Sequence, residues 1–214
     1  MTERAMASKE NPIVELDAKG RPVVEMKAGL VLYAARPPGP KTARKAYDLF
    51  MARCGDKIQR YGATVPNLPV RRWTAQSKKL FEEVEIHELR KYRAWGYGFD
   101  DGQTLDSTLF MFHGARPITE AGKASLYRFE FPWNIPPDFL WELAREVVDT
   151  LPFHAGFGGW FLQFNHRLDG YDRMYAYAQR YWAVEAYNPD VTMDFILAGY
   201  KSVNWLTFIG ADLV

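Results

Sequence analysis

The chain has 214 residues, 48% hydrophobic and 25% charged, which excludes a disordered polymer and leaves room for one large domain or two small ones. Its single cysteine, Cys54, excludes an internal disulfide and a cysteine-built zinc cage. No stretch approaches the roughly 18 consecutive apolar residues of a membrane span, and the opening MTERAMASKENP has no signal-peptide apolar core, so a cytoplasmic protein without a membrane partner is expected.

The net charge of +1 conceals a division. Residues 1–99 hold 19 Lys/Arg against 11 Asp/Glu, and residues 100–214 hold 8 against 15. If the halves fold as separate units, one basic and one acidic surface follow; if their strands interleave, the charges mix.

Residues 1–11 read as a flexible arm and residues 12–214 as a single domain. Ile13–Leu16 and Pro22–Tyr33 are β-rich runs joined by a short turn at Asp17–Gly20, a hairpin pattern. The breakers Pro37–Pro40 end it, and a helix is predicted from Thr42 to Tyr61, with Ala46, Leu49, Phe50, Cys54, Ile58 and Tyr61 on one face. A buried, inert thiol is the expected state of Cys54.

Pro66–Pro69 reads as a loop, and Gln76–Trp95 is ambiguous, with a helix favoured at its start. Gly96–Gly102 reads as a glycine- and aspartate-rich connection. Strands are predicted at Thr108–His113 and Ser125–Phe131; the second places Tyr127, Phe129 and Phe131 on one side and Leu126, Arg128 and Glu130 on the other.

Proline before an acidic cap at Asp138 starts a helix striped by Leu140, Leu143, Val147 and Leu151, which Pro152 stops. Gly156–Phe164 reads as a buried strand entered through glycines, which allow close backbone approach. Asp169 caps a helix running to about Trp182, with Tyr171, Met174, Tyr175, Ala178 and Trp182 at helical spacing; Val203–Gly210 closes the chain as a strand. The order predicts an α+β domain with a largely antiparallel sheet, and each half holds a hairpin followed by a helix, an arrangement compatible with two hairpin–helix halves.

Catalytic signatures are missing. The histidines His87, His113, His154 and His166 lack paired ligand spacing, and His87-Glu88 has Lys91 where a zinc-protease helix needs its second histidine. Neither a phosphate-binding glycine loop nor a serine elbow occurs. Asp100, Asp101 and Asp106 have oxygen ligands for a divalent cation, yet their spacing does not match a calcium loop, and a solvated acidic loop explains them as well. Basic residues at Lys41, Arg44, Lys45, Arg71, Arg72, Lys78 and Lys79 lack the excess that nucleic-acid binding requires. No cofactor, metal or nucleic-acid partner is expected.

The stretch Tyr177–Trp182, then Asn188-Pro189-Asp190, then Tyr200–Leu213 resembles the type VI secretion immunity family, whose members pair with VRR-Nuc-type nuclease effectors. Val203-Asn-Trp-Leu-Thr-Phe-Ile-Gly210 is its most specific part. The resemblance extends over most of residues 20–214, with specificity concentrated after about residue 150. It implies a cognate inhibitor, not an enzyme, that binds an antibacterial toxin in the cytosol and occludes its active site.

The resemblance carries over no contact residues. Inhibitors of nucleases place carboxylates where phosphates would sit, and complementary charge speeds association. The candidate contact is Trp95–Asp106, where Trp95, Tyr97 and Phe99 offer aromatic anchors beside Asp100, Asp101 and Asp106; the alternative is an ordinary solvated turn whose aromatics pack inward. The competing readings are an enzyme using this acidic loop with nearby histidines, and an assembly component of a secretion system.

Overall fold

The computed structural model describes residues 11–63, 69–89, 96–105, 107–114, 122–164, 170–180, 184–186, 189–199 and 204–213. The strands are β1 (Val14–Leu16), β2 (Pro22–Ala34), β3 (Arg60–Ala63), β4 (Arg71–Arg72), β5 (Gly96–Asp100), β6 (Leu109–His113), β7 (Ser125–Pro132), β8 (Ala155–Phe164), β9 (Val184–Ala186) and β10 (Leu206–Ile209). The helices are α1 (Pro40–Cys54), α2 (Ala75–Leu80), α3 (Pro137–Thr150), α4 (Gly170–Ala178) and α5 (Pro189–Phe195). All ten strands form one sheet in the order β10-β8-β2-β7-β6-β5-β3-β4, with β1 beside β2 and β9 beside β8. Every pairing is antiparallel except β8 with β9. The expected α+β class with a largely antiparallel sheet is therefore correct.

β2 is the spine. It pairs with β7 over Lys27–Ala34 and with β8 over Val24–Tyr33, so most of its length is bonded on both edges. Buried on both faces, it reads as an almost continuous apolar run instead of an alternation. Because this strand from the first half lies between two from the second, the hairpin–helix halves interleave and no division into a basic and an acidic unit survives.

On one face, Leu30, Leu32, Phe110, Phe112, Tyr127 and Phe129 meet α1 and α3 in the largest core cluster. Fully burying one such side chain stabilises the fold by about 1.5–3 kcal/mol. The predicted stripe of α3 is present, with Leu140, Leu143 and Val147 buried. Its N-cap is Pro136, with Pro137 at the first helical position, which moves the cap two residues ahead of the expected Asp138. Asp138 instead occupies the first turn, where its charge complements the helix dipole.

α1 ends at Cys54 and does not reach Tyr61. Gly55, a weak helix former, follows Cys54. The Lys57 amide then turns back to the Cys54 carbonyl (3.0 Å), and Arg60–Ala63 becomes strand β3 against β5. Ile58 and Tyr61 still enter the same core, but from a turn and a strand. Cys54 is buried, and desolvation raises its thiol above the ordinary value, as the apolar face predicts.

The helix favoured at the start of Gln76–Trp95 exists as α2, extended by a π-helical turn at Phe81–Glu85. Thr74 caps it: the Ser77 amide donates to its hydroxyl (3.2 Å), and the Thr74 amide donates to the Ser77 hydroxyl (2.7 Å). In α4, Met174 is buried and Tyr175 exposed, while Asp169 and Trp182 lie outside the described residues. Most of the Pro66–Pro69 loop also lies outside them.

The opposite face of the central strands holds charge. Lys27 is fully buried and donates to the Ser107 carbonyl (3.1 Å) and hydroxyl (3.0 Å), with Glu25 at 3.4 Å. Arg128 pairs with Glu130 on β7. The Gln163 amide, its nitrogen toward Glu130 (3.2 Å) and its oxygen toward Arg128 (3.1 Å), bridges that pair. The predicted alternation of β7 is correct, yet its polar side is as dry as its aromatic side. Buried charges persist only when paired and hydrogen-bonded.

Gly29 tests the tightness of the spine. A Cβ there would lie 2.1 Å from the Phe129 carbonyl oxygen, whereas one at Gly98 on β5 meets nothing within 4 Å. Gly29→Ala is expected to cost more than about 3 kcal/mol in urea unfolding, and Gly98→Ala to stay within about 0.5 kcal/mol.

Candidate functional site

The segment that sequence reasoning singles out is a strand and its turn, not an irregular connection. Gly96–Asp100 forms β5, paired with β3 on one side and β6 on the other. Alternation along it separates two kinds of residue. Tyr97 and Phe99 point into the core, and Gly98 and Asp100 lie on the other face.

Phe99 is fully buried, with ring centroids 4.9 Å from Phe81, 5.3 Å from Trp73 and 5.4 Å from Tyr47. Tyr97 is 5% exposed and sits 5.0 Å from Phe81. Burial holds its phenol well above the usual value, helped by the Glu85 carboxylate. Glu85 pairs with Arg71 at 2.9 Å, and Arg71 also donates to the Tyr61 hydroxyl at 3.4 Å. Desolvation and Glu82 likewise raise the phenol of Tyr47, which donates to Glu82 at 2.7 Å. These rings and their polar ends fix the strand from beneath.

Asp100 faces outward, its carboxylate accepting from Arg60 Nε (2.7 Å) and from the Gly102 amide (2.8 Å). Asp101 is buried; it accepts from the amides of Gln103 (3.0 Å) and Thr108 (2.7 Å). Gly102, at φ +78°, supplies the left-handed position of the turn that follows them. Both carboxylates thus hold the β5–β6 turn together. Trp95 and Asp106 lie outside the described residues.

The outward face of β3, β5 and β6 presents Arg60, Gly62, Gly98 and Asp100 with half-buried Leu109, Met111 and His113. Sequence reasoning missed Arg60, which it placed on a helix; its sign opposite Asp100 carries no local pattern that would pair residues 40 positions apart.

The remaining chemistry is scattered. His87 is exposed, His113 half-buried on β6 and His154 buried, with His166 outside the described residues. Among the described residues, no group of three or more His, Cys, Asp or Glu is arranged to hold a metal ion. Among them also, no helix is long and apolar enough to cross a membrane.

A family model described as type VI immunity for VRR-NUC, TsiV, matches residues 55–214. No curated protein matches the sequence. Among solved structures the chain is similar to a Pseudomonas aeruginosa T6SS protein, at 13% identity and a TM-score of 0.62 over 84% of this chain. The chain spans 54% of that protein, about half its length, and at that identity the likeness is one of fold.

The two sides of β5 should respond differently to truncation. Phe99→Ala is expected to cost about 3–5 kcal/mol of stability. Asp100→Ala, which removes a partly exposed ion pair and one turn bond, should cost about 1 kcal/mol. Urea unfolding of both variants checks this, and similar losses would contradict the assignment of faces.

Proposed function

Since the chain belongs to the TsiV family of type VI immunity proteins for VRR-NUC, we propose that it neutralises a cognate VRR-NUC effector by binding it and occluding its active site. The observation that carries this reading is the family match across residues 55–214, which takes in everything from β3 to the end of the sheet. Inhibition of this kind is stoichiometric and asks the chain for a surface, not for a reaction.

A nuclease holds the phosphate backbone with lysines and arginines, so a protein that covers its active site gains from carboxylates in their place. The encounter belongs in the cytosol, where such an effector reaches nucleic acid, and the chain itself need not bind nucleic acid there.

The 95–106 segment enters the proposal in altered form. With Tyr97 and Phe99 in the core and Asp101 inside the turn, Asp100 is the described candidate through which it meets a partner. Arg60 already offsets its charge. Its share of the affinity is therefore small.

Coexpression with the cognate effector in a susceptible host tests the function. Restored growth together with a complex that survives purification is the expected result; neither rescue nor complex would overturn it. Asp100→Ala should weaken the purified complex by less than about tenfold, measured by biolayer interferometry.

A further inference from the structure

β10 is four residues long, pairs only with β8 among the described residues, and stands at the end of the sheet. α3 packs over the neighbouring strands β2 and β8. Between α3 and β10 runs an open groove of about 410 Å³, with Trp141 and Val148 on the helix side and Leu206 and Phe208 on the strand side.

The floor depends on β8. Gly158 has no side chain where Leu206 packs, and a Cβ there would lie 3.1 Å from Leu206 Cδ1 and 2.5 Å from Leu30 Cδ2. The glycine lets β10 and its leucine settle close to the sheet.

Two of the ten large apolar side chains exposed among the described residues line this groove: Trp141, 50% exposed, and Val148, 37% exposed, both on α3. Exposed apolar groups concentrated at a groove mark a binding surface more than scattered ones do. Tryptophan is also among the residues that carry most interface energy.

The helix adds a sign to this apolar floor. Exposed along α3 are Asp138, Glu142, Glu146 and Asp149, against one cation, Arg145. Glu146 is paired with Arg53 of α1; Asp149 lines the groove together with Arg145, and the exposed Glu142 and Asp138 continue an acidic row along the helix beside it.

We infer that the α3–β10 groove is the effector-docking surface, receiving an apolar side chain from the basic, phosphate-gripping surface of the VRR-NUC nuclease while the α3 carboxylates face its lysines and arginines. This rests on the immunity reading above and specifies where the contact lies. The apolar groove supplies the anchor, and the carboxylates set the partner's charge and speed its approach. A carboxylate-bearing helix standing where the phosphate backbone would lie also excludes the substrate.

The test measures binding of the purified effector to the full chain by biolayer interferometry, with thermal melting of each variant beside it. Trp141→Ala should weaken binding about tenfold or more with an unchanged melting temperature, because the side chain is half in solvent. The pair Glu142→Lys and Asp149→Lys should slow association severalfold and reverse its salt dependence.

Unchanged affinity and association rate in these folded variants would overturn the inference while leaving the immunity reading intact. Loss of binding on Asp100→Ala, with none on Trp141→Ala, would overturn it in favour of the open face of β3, β5 and β6. A homodimer of the wild-type chain that Trp141→Ala dissociates, with effector binding intact, would assign the groove to a second copy and equally overturn it. If the wild-type chain fails to bind the effector at all, the immunity reading itself fails.

Discussion

Strand β2 hydrogen-bonds along both edges, to β7 and to β8, and the fit leaves no room for a side chain at Gly29. Around that close approach the rest of the molecule is arranged. The even-numbered residues Leu30 and Leu32 face α1 and α3, while the odd-numbered Glu25 and Lys27 face the buried ion pairs. An apolar face gains stability from every side chain it removes from water; the charged face must satisfy each group before burial becomes tolerable. A strand bound on both edges and dry on both faces fixes the register of its neighbours, because a slip of one residue would exchange the two faces.

The two ends of the sheet differ in a way that matters for binding. Toward one end, β5 is clamped from beneath by Tyr47, Trp73 and Phe81 against Phe99, and its acidic turn is tied by Asp100 and Asp101. Toward the other, β10 pairs with β8 alone among the described residues, and Trp141, Val148 and Asp149 lie open beside it. The first arrangement is self-satisfied. The second exposes apolar surface that water does not favour, and that difference directs attention to the α3–β10 end.

Much of this architecture is legible in the sequence wherever one period dominates. The 3.6-residue stripe of α3, the opening hairpin and the two-residue alternation of Tyr127, Phe129 and Phe131 all appear as expected. What local pattern conceals is the long-range partner. Helical spacing continues from Cys54 through Ile58 to Tyr61, yet Gly55 and the pairing of β3 with β5 end the helix early. Glycines made Gly96–Asp100 resemble a connection, although glycine alternating with an aromatic is what a strand with one bare face requires. Of the two readings that the aromatics of this segment allow, Tyr97 and Phe99 take the inward one and anchor the core. The family resemblance, by contrast, was readable from Tyr200–Leu213 and agrees with the match over residues 55–214.

An inhibitor that works by covering a site is consumed in proportion to its target, whereas an enzyme acting on that target is not. Titrating the purified chain into a fixed amount of cognate effector, and following cleavage of a nucleic-acid substrate, separates the two. The account predicts a linear loss of cleavage that ends at one chain per effector and is independent of preincubation time. Complete loss at a small fraction of that ratio, or no loss at any ratio, would contradict it.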